Sequence, residues 1–182
     1  MINNNIDLTY KLSIFGVKGV GKTSLIQRYI TNIFDINIKS TLGAAIHVKY
    51  LKINNKIILL QIWDFGGEDK YRFLLPSYAY GTFGAIFMYD ISKKETIDNF
   101  KEWISIFKSG LREEKLEIPI MLVGGKSDLE NDRSCFREDL DKIVKSNLFF
   151  NIVECSSKTG KNVDNVFKTL IEEIMKRISL IK

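Results

Sequence analysis

Gly16-Val17-Lys18-Gly19-Val20-Gly21-Lys22-Thr23 spells G-x-x-x-x-G-K-T, the pattern of a phosphate-binding loop. The apolar run Leu12-Ser13-Ile14-Phe15 precedes it. Ser24-Leu25-Ile26-Gln27-Arg28-Tyr29-Ile30, which reads as a helix, follows it. Strand, loop and helix in that order are the context the motif requires. Glycines let main-chain N–H groups turn inward and approach phosphate oxygens closely. The helix start adds unpaired N–H groups and the positive end of its dipole. Lys22 supplies a point charge for terminal phosphates, and the Thr23 hydroxyl suits magnesium, a hard cation that favours oxygen. Gly16, Lys18, Gly19, Val20, Gly21, Lys22, Thr23 and Ser24 are the first candidate site residues. With Gly at ~7% of residues, a full match arises by accident in roughly one chain of this length in a hundred. The flanks lower that further, so nucleotide binding leads.

Outward from this loop, apolar runs alternate with helical patterns. Tyr10–Phe15 reads as a strand and Lys22–Ile33 as a helix, and an irregular polar stretch runs from Phe34 to Gly43. Ala45–Ile53 and Lys56–Trp63 flank the turn dipeptide Asn54-Asn55 and read as a hairpin. The second arm is nearly all apolar, which predicts burial on both faces. Asp69–Tyr80 is loosely helical, and Phe83–Tyr89 and Ile118–Val123 are buried runs. Glu95–Leu111 carries Ile97, Phe100, Ile104 and Phe107 at helical spacing, and these read as core. Arg137–Ser146 reads as helix, Asn151–Cys155 as a short strand and Asn162–Ile178 as a closing helix. The alternation implies a mostly parallel sheet covered on both faces, with the hairpin adding one antiparallel edge strand. Ligands of such folds bind beyond the carboxyl ends of the strands. Every polar motif here follows a strand, so all of them fall on one rim.

Asp64 ends the second hairpin arm and precedes Gly67, giving D-x-x-G. A carboxylate there can hold magnesium through a water, and Gly67 can offer its N–H to a phosphate with no side chain in the way. A strand-ending turn is the plainer reading. Lys126-Ser127-Asp128 follows a strand. Asp128 can accept two N–H donors from one purine edge, which guanine offers and adenine does not, and the stem of Lys126 can lie along a base plane. A charged loop explains these residues equally well when they are read alone. Ser156-Ser157-Lys158 follows the last strand, and its main-chain N–H groups could meet a base carbonyl; alone it is a weak signal.

A chain of 182 residues makes one domain over 1–182, with its core at about 10–177. Its 45% hydrophobic and 27% charged content is that of an ordinary globule. The net charge of +5 is dispersed among acids, which argues against nucleic acid as a partner. Two cysteines, Cys135 and Cys155, at no metal-like spacing fit a reducing, cytoplasmic compartment. No apolar run approaches a membrane span. The terminal residues Met1-Ile2-Asn3 and Ser179-Leu180-Ile181-Lys182 carry no acylation or prenylation signal, so the chain is expected to have no lipid anchor of its own.

The ordered motifs Gly16–Thr23, Thr41-Leu42-Gly43, Asp64–Gly67, Lys126–Asp128 and Ser156–Lys158 together resemble a small GTPase of the Ras superfamily, closest to the Rab and Ras branches. Trp63-Asp64, Tyr89-Asp90-Ile91 and Asn99-Phe100-Lys101-Glu102-Trp103 are Rab-like as well, and the resemblance runs from about Tyr10 to Lys176. It implies an α/β P-loop NTPase G domain with a mostly parallel six-stranded sheet, one antiparallel edge strand and helices on both faces. It implies a monomeric switch that binds GTP and GDP with Mg2+ and hydrolyses GTP slowly. Thr23, Thr41 and Asp64 would serve the metal, Phe34 would pack on guanine edge-on and Asp128 would select it. Lys22, Gly67 and Glu68 would act in catalysis. Phe34–Gly43 and Asp64–Ala79 would be two switch segments that meet effector and regulatory proteins.

Three departures from the family pattern matter. Gly125 stands where the family usually has an Asn that bonds the base and braces the phosphate loop; weaker, faster-exchanging binding is expected. Glu68 replaces the Gln that positions water. Lys18 stands where Ras has Gly; it is either a solvent-facing side chain or a positive charge supplied in cis to the phosphates. Phe65 and Gly66 also replace commoner residues. Glu68 and Gly125 keep a second reading open, a GTP-binding scaffold that no longer hydrolyses. A P-loop kinase finds no support, because the pattern holds no Arg-rich lid and no acceptor pocket.

Overall fold

Phosphate-loop and rim motifs all hang from one sheet. A computed structural model describes residues 6–112 and 117–180. Residues 1–5 and 181–182, which include Met1-Ile2-Asn3 and the last two of the four C-terminal residues behind the lipid-anchor expectation, lie outside the described residues. Strands β1 (Leu8–Phe15), β2 (Ala44–Ile53), β3 (Lys56–Phe65), β4 (Gly84–Asp90), β5 (Ile120–Gly125) and β6 (Asn151–Glu154) lie in the order β2-β3-β1-β4-β5-β6. β2 runs antiparallel to β3, and every other pairing is parallel. The hairpin turn sets Asn54 and Asn55 at φ 50° and 62°, the left-handed region that Asn tolerates and that a two-residue hairpin needs.

Two cores fill the two faces. Under helices α1 (Lys22–Thr31) and α6 (Val163–Leu180), Leu12, Ile14, Ile86 and Met88 pack against Leu25, Ile26, Phe167 and Leu170. On the other face Phe15, Ala85, Phe87 and Leu122 pack against Trp103, Ile104 and Phe107 of α4 (Phe100–Ser109). Among the described residues the other α-helices are α2 (Leu75–Ala79), α3 (Glu95–Asp98) and α5 (Arg137–Val144).

Three expectations are corrected. The single helix over Glu95–Leu111 is two, broken at Asn99, whose φ and ψ of −93° and 25° leave the helical region; Asn competes poorly for helix interiors. With that break Trp103 turns into the core and Phe100 is only half-buried. Asp69–Tyr80 is loosely helical as expected, a 3-10 turn, Asp69–Leu74, followed by α2. β3 is buried on one face only: Ile58, Leu60 and Ile62 are covered, whereas Leu59, Gln61 and Trp63 are half-exposed. Near this edge the cover comes from single side chains, such as Lys11, 3.8 Å over the Trp63 ring, and Tyr78, 5.7 Å from it. Finally, β5 starts two residues later than expected and runs on through Gly124 and Gly125. That carries the strand to the rim itself.

Candidate functional site

The loop after β1 closes on itself around a lysine. Gly16 has φ 138°, and a Cβ there would stand 2.3 Å from the Met88 carbonyl oxygen, so only glycine fits. Lys22, at the first position of α1, is 6% exposed. Its ammonium donates to the carbonyls of Gly16 at 2.8 Å and Val17 at 3.0 Å. Burial pushes its pKa down to about 8, and the charge of Asp64 pulls the other way.

Beside it three oxygens from three elements converge. The Thr23 hydroxyl donates to Asp64 Oδ2 at 2.6 Å and lies 2.9 Å from the Thr41 hydroxyl. Thr41 donates to the same Asp64 Oδ2 at 2.9 Å. Asp64 is fully buried, and its Oδ1 has no hydrogen-bond partner. A buried acceptor with nothing to accept from, flanked by two hydroxyls, is an all-oxygen donor set that fits Mg2+.

The segment after β3 leans on both neighbours. Gly66 N–H donates to the Gly43 carbonyl at 2.7 Å, and Lys18 N–H to the Gly67 carbonyl at 2.9 Å. A Cβ on Gly67 would stand 2.4 Å from the Lys18 nitrogen, and one on Gly66 2.7 Å from the Thr41 carbonyl oxygen. Glu68 binds two lysines, Lys18 at 3.0 Å and Lys70 at 2.9 Å. Hydrogen bonds from Lys70 and then Lys18 hold its carboxyl below the usual range.

At the far end Lys126 adopts φ 63°, and its ammonium pairs with the buried Asp90 at 2.6 Å. The stem is left along the cleft. Ser156 Oγ donates to Asp128 Oδ1 at 2.5 Å, which fixes the exposed carboxylate. The Ser156 N–H is already given to the Lys161 carbonyl at 3.0 Å, so it is not free for a base. Arg133 ties this corner down, bridging Glu154 at 2.7 Å and Glu130 at 2.8 Å.

These groups surround one cleft of about 480 Å³. Lys18, Gly19, Val20, Gly21, Lys22, Thr23, Ser24, Phe34, Thr41, Gly67, Glu68, Lys126, Asp128, Ser157 and Lys158 all line it. Gly16, Asp64 and Ser156 lie behind the wall and act on it through the bonds above. Asp35, Ile36, Ile38, Lys39, Ser40, Leu129 and Met88 also line it and were not singled out by sequence. The first five fall in the polar stretch 34–43, where no pattern marks individual side chains. Met88 is one apolar residue in a buried strand and carries no signal at all.

The fold agrees with the comparisons. The Ras family model matches residues 11–176. The chain is 35% identical over 178 residues to Ras-related protein RABA4d of Arabidopsis thaliana, covering 97% of this chain and 78% of that one. It is 34% identical over 174 residues to Ras-related protein Rab-12 of Mus musculus (96% and 70%). It is similarly 34% identical over 174 residues to Ras-related protein Rab11B of Nicotiana tabacum (95% and 78%). The chain belongs to the Ras family, as a Rab-like small GTPase of the Ras superfamily.

Proposed function

We propose that this chain is a molecular switch that binds GTP and GDP with Mg2+ and slowly hydrolyses GTP to GDP and phosphate. One observation carries the reading. A single cleft holds the buried Lys22 and the Thr23–Thr41–Asp64 oxygen cluster at one end and the braced Asp128 at the other. That is the charge pattern that a purine nucleoside polyphosphate calls for. Loop N–H groups and Lys22 hold the phosphates, and Asp128 accepts the paired N–H donors of guanine. Thr23 and Thr41 would hold Mg2+ directly and Asp64 through water; the ion, when bound, neutralises charge on the phosphates. In hydrolysis a water oxygen bonds to the terminal phosphorus while the bond from that phosphorus to the bridging oxygen breaks; GDP leaves, and the proton lost by the water passes to the released phosphate or to solvent. Lys22 stays protonated at neutral pH, since its pKa is about 8, and can stabilise the leaving oxygen. Segments 34–43 and 64–79 are the surfaces that change with the nucleotide and meet effector and regulatory proteins. A cytoplasmic monomer without affinity for nucleic acid completes the reading; among the described residues no helix is long and apolar enough to cross a membrane.

A specific observation favours a second reading. Glu68 is engaged by two ammonium groups, so its carboxylate is held away from the work of orienting water. A scaffold that keeps GTP bound without cleaving it fits that arrangement. The deciding experiment identifies the nucleotide that co-purifies and follows phosphate release in single turnover, with and without Mg2+. GDP and slow Mg2+-dependent release support the switch. Stable GTP supports the scaffold. Ready displacement of bound guanine nucleotide by ATP overturns both.

A further inference from the structure

β4 sends one side chain into the site that no role above uses. Met88 is 1% exposed and lines the cleft at the junction of β4, β5 and the phosphate loop. A Cβ added to Gly125 would stand 2.5 Å from the Met88 methyl carbon and 2.8 Å from the Val20 carbonyl oxygen. A Cβ on Gly21 would lie 3.5 Å from the same methyl. The methyl therefore occupies the space between the end of β5 and the phosphate loop. The Met88 main chain also touches the other end of the loop, through its carbonyl beneath Gly16. One residue underlies both ends of the loop, and the absence of a side chain at 125 is what leaves room for it.

We infer that Met88 is a positioning residue of the nucleotide site, whose thioether fills the place of a residue-125 side chain and props the phosphate loop. This rests on the guanine-nucleotide reading above and adds to it. A thioether is unbranched and polarisable and fits irregular gaps. It supplies dispersion contact where a hydrogen-bonding side chain would supply direction. No side chain from position 125 then reaches the base, and base selection falls on Asp128. The loop rests on a contact that yields easily, so the nucleotide leaves faster than it would above a hydrogen-bonded brace.

The test is a double-mutant cycle on release of a fluorescent GDP, with thermal melting in excess GDP as the control for folding. Met88→Val withdraws the prop and is expected to speed release. Gly125→Asn drives a side chain into the methyl and the Val20 carbonyl and is expected to speed release as well, although it adds an amide. The pair together is expected to release GDP about fivefold or more slowly than the product of the singles implies, the scale of coupling between packed neighbours. If Gly125→Asn does not fold, Gly125→Ala takes its place with the same expectation. Two outcomes overturn the assignment: effects that simply multiply, or a Met88→Val protein that melts lower yet releases GDP at the parent rate. A parent chain that takes up no guanine nucleotide overturns the guanine reading itself, a result distinct from either.

Discussion

Lys18 Nζ lies 3.0 Å from Glu68 Oε1, joining the phosphate loop to the segment after β3 directly over the cleft. Lys18 and Glu68 both depart from the family pattern, and they pair with each other. The solvent-facing reading of Lys18 is therefore incomplete: the side chain is half-exposed, but its charge is engaged.

That pair gives the first prediction. With the carboxylate pinned by Lys18 and Lys70, Glu68→Gln frees Lys18 and supplies an amide, and is expected to raise single-turnover GTP hydrolysis by about tenfold, the equivalent of about 1.4 kcal/mol off the barrier. Lys18→Ala leaves Glu68 tied to Lys70 and removes positive charge near the phosphates; hydrolysis is expected to fall. Parent rates in both variants would remove the pair from the mechanism.

Base selection tests the other end of the cleft. Asp128→Asn replaces one acceptor by a donor, which suits a base carrying a carbonyl where guanine has its amino group. Competition between GDP and xanthosine diphosphate should reverse in favour of the latter. Loss of hydrogen bonds to a charged group costs about 1.5–3 kcal/mol, so GDP affinity should drop roughly ten- to a hundredfold. Unchanged preference would place the base elsewhere.

Metal removal should act through the oxygen cluster. Chelating Mg2+ with EDTA is expected to speed GDP release by about an order of magnitude, the equivalent of 1.4 kcal/mol of lost hold. In Thr23→Ala, release is already fast and EDTA should change it little. An EDTA response as large in Thr23→Ala as in the parent would detach Thr23 from the metal.

Gly66 meets the stretch 34–43 backbone to backbone. In Gly66→Ala the new Cβ would stand 2.7 Å from the Thr41 carbonyl oxygen and strain the Gly66–Gly43 hydrogen bond. Overpacking of this kind costs about 1–3 kcal/mol, so cleavage of residues 34–43 by thermolysin should rise roughly five- to a hundredfold. Equal cleavage rates would show that the contact does not hold the segment.

The thiols carry a pH signature. Burial pushes Cys135 up to about 11 and Cys155 up to about 12, from 9.0. Between those values the unfolded chain has released protons that the folded chain keeps, so stability is expected to fall as pH rises from about 9 towards 11. At pH 8 both thiols should resist a disulfide reagent in the folded protein and react at once in denaturant. Rapid labelling of the native chain would contradict their burial.

Sequence displayed the phosphate loop, the hairpin, and the positions of Asp64 at the end of one strand and Asp128 just after another, because each is tied to local backbone pattern. The burial of β3 misled because its nearly all-apolar run mimics a central strand, whereas it lies beside the edge. The break at Asn99 was masked by a helical period that runs across it. The Lys18–Glu68 pair was out of reach for a different reason. It joins residues fifty apart, and nothing in either neighbourhood announces the other. Met88 was hidden by its chemistry: in a buried strand, one more apolar residue looks like the rest.

The backbone bond from Gly66 to Gly43 has a wider consequence. It fastens two stretches of chain that are distant in sequence into one continuous outer wall, with Leu42 and Phe73 projecting from it. A visiting protein that presses on Leu42 would feel, through two linked peptide groups, whether the stretch after β3 is seated. Such a visitor would discriminate between shapes of the whole wall, and a single loosened seam would be enough to make it let go.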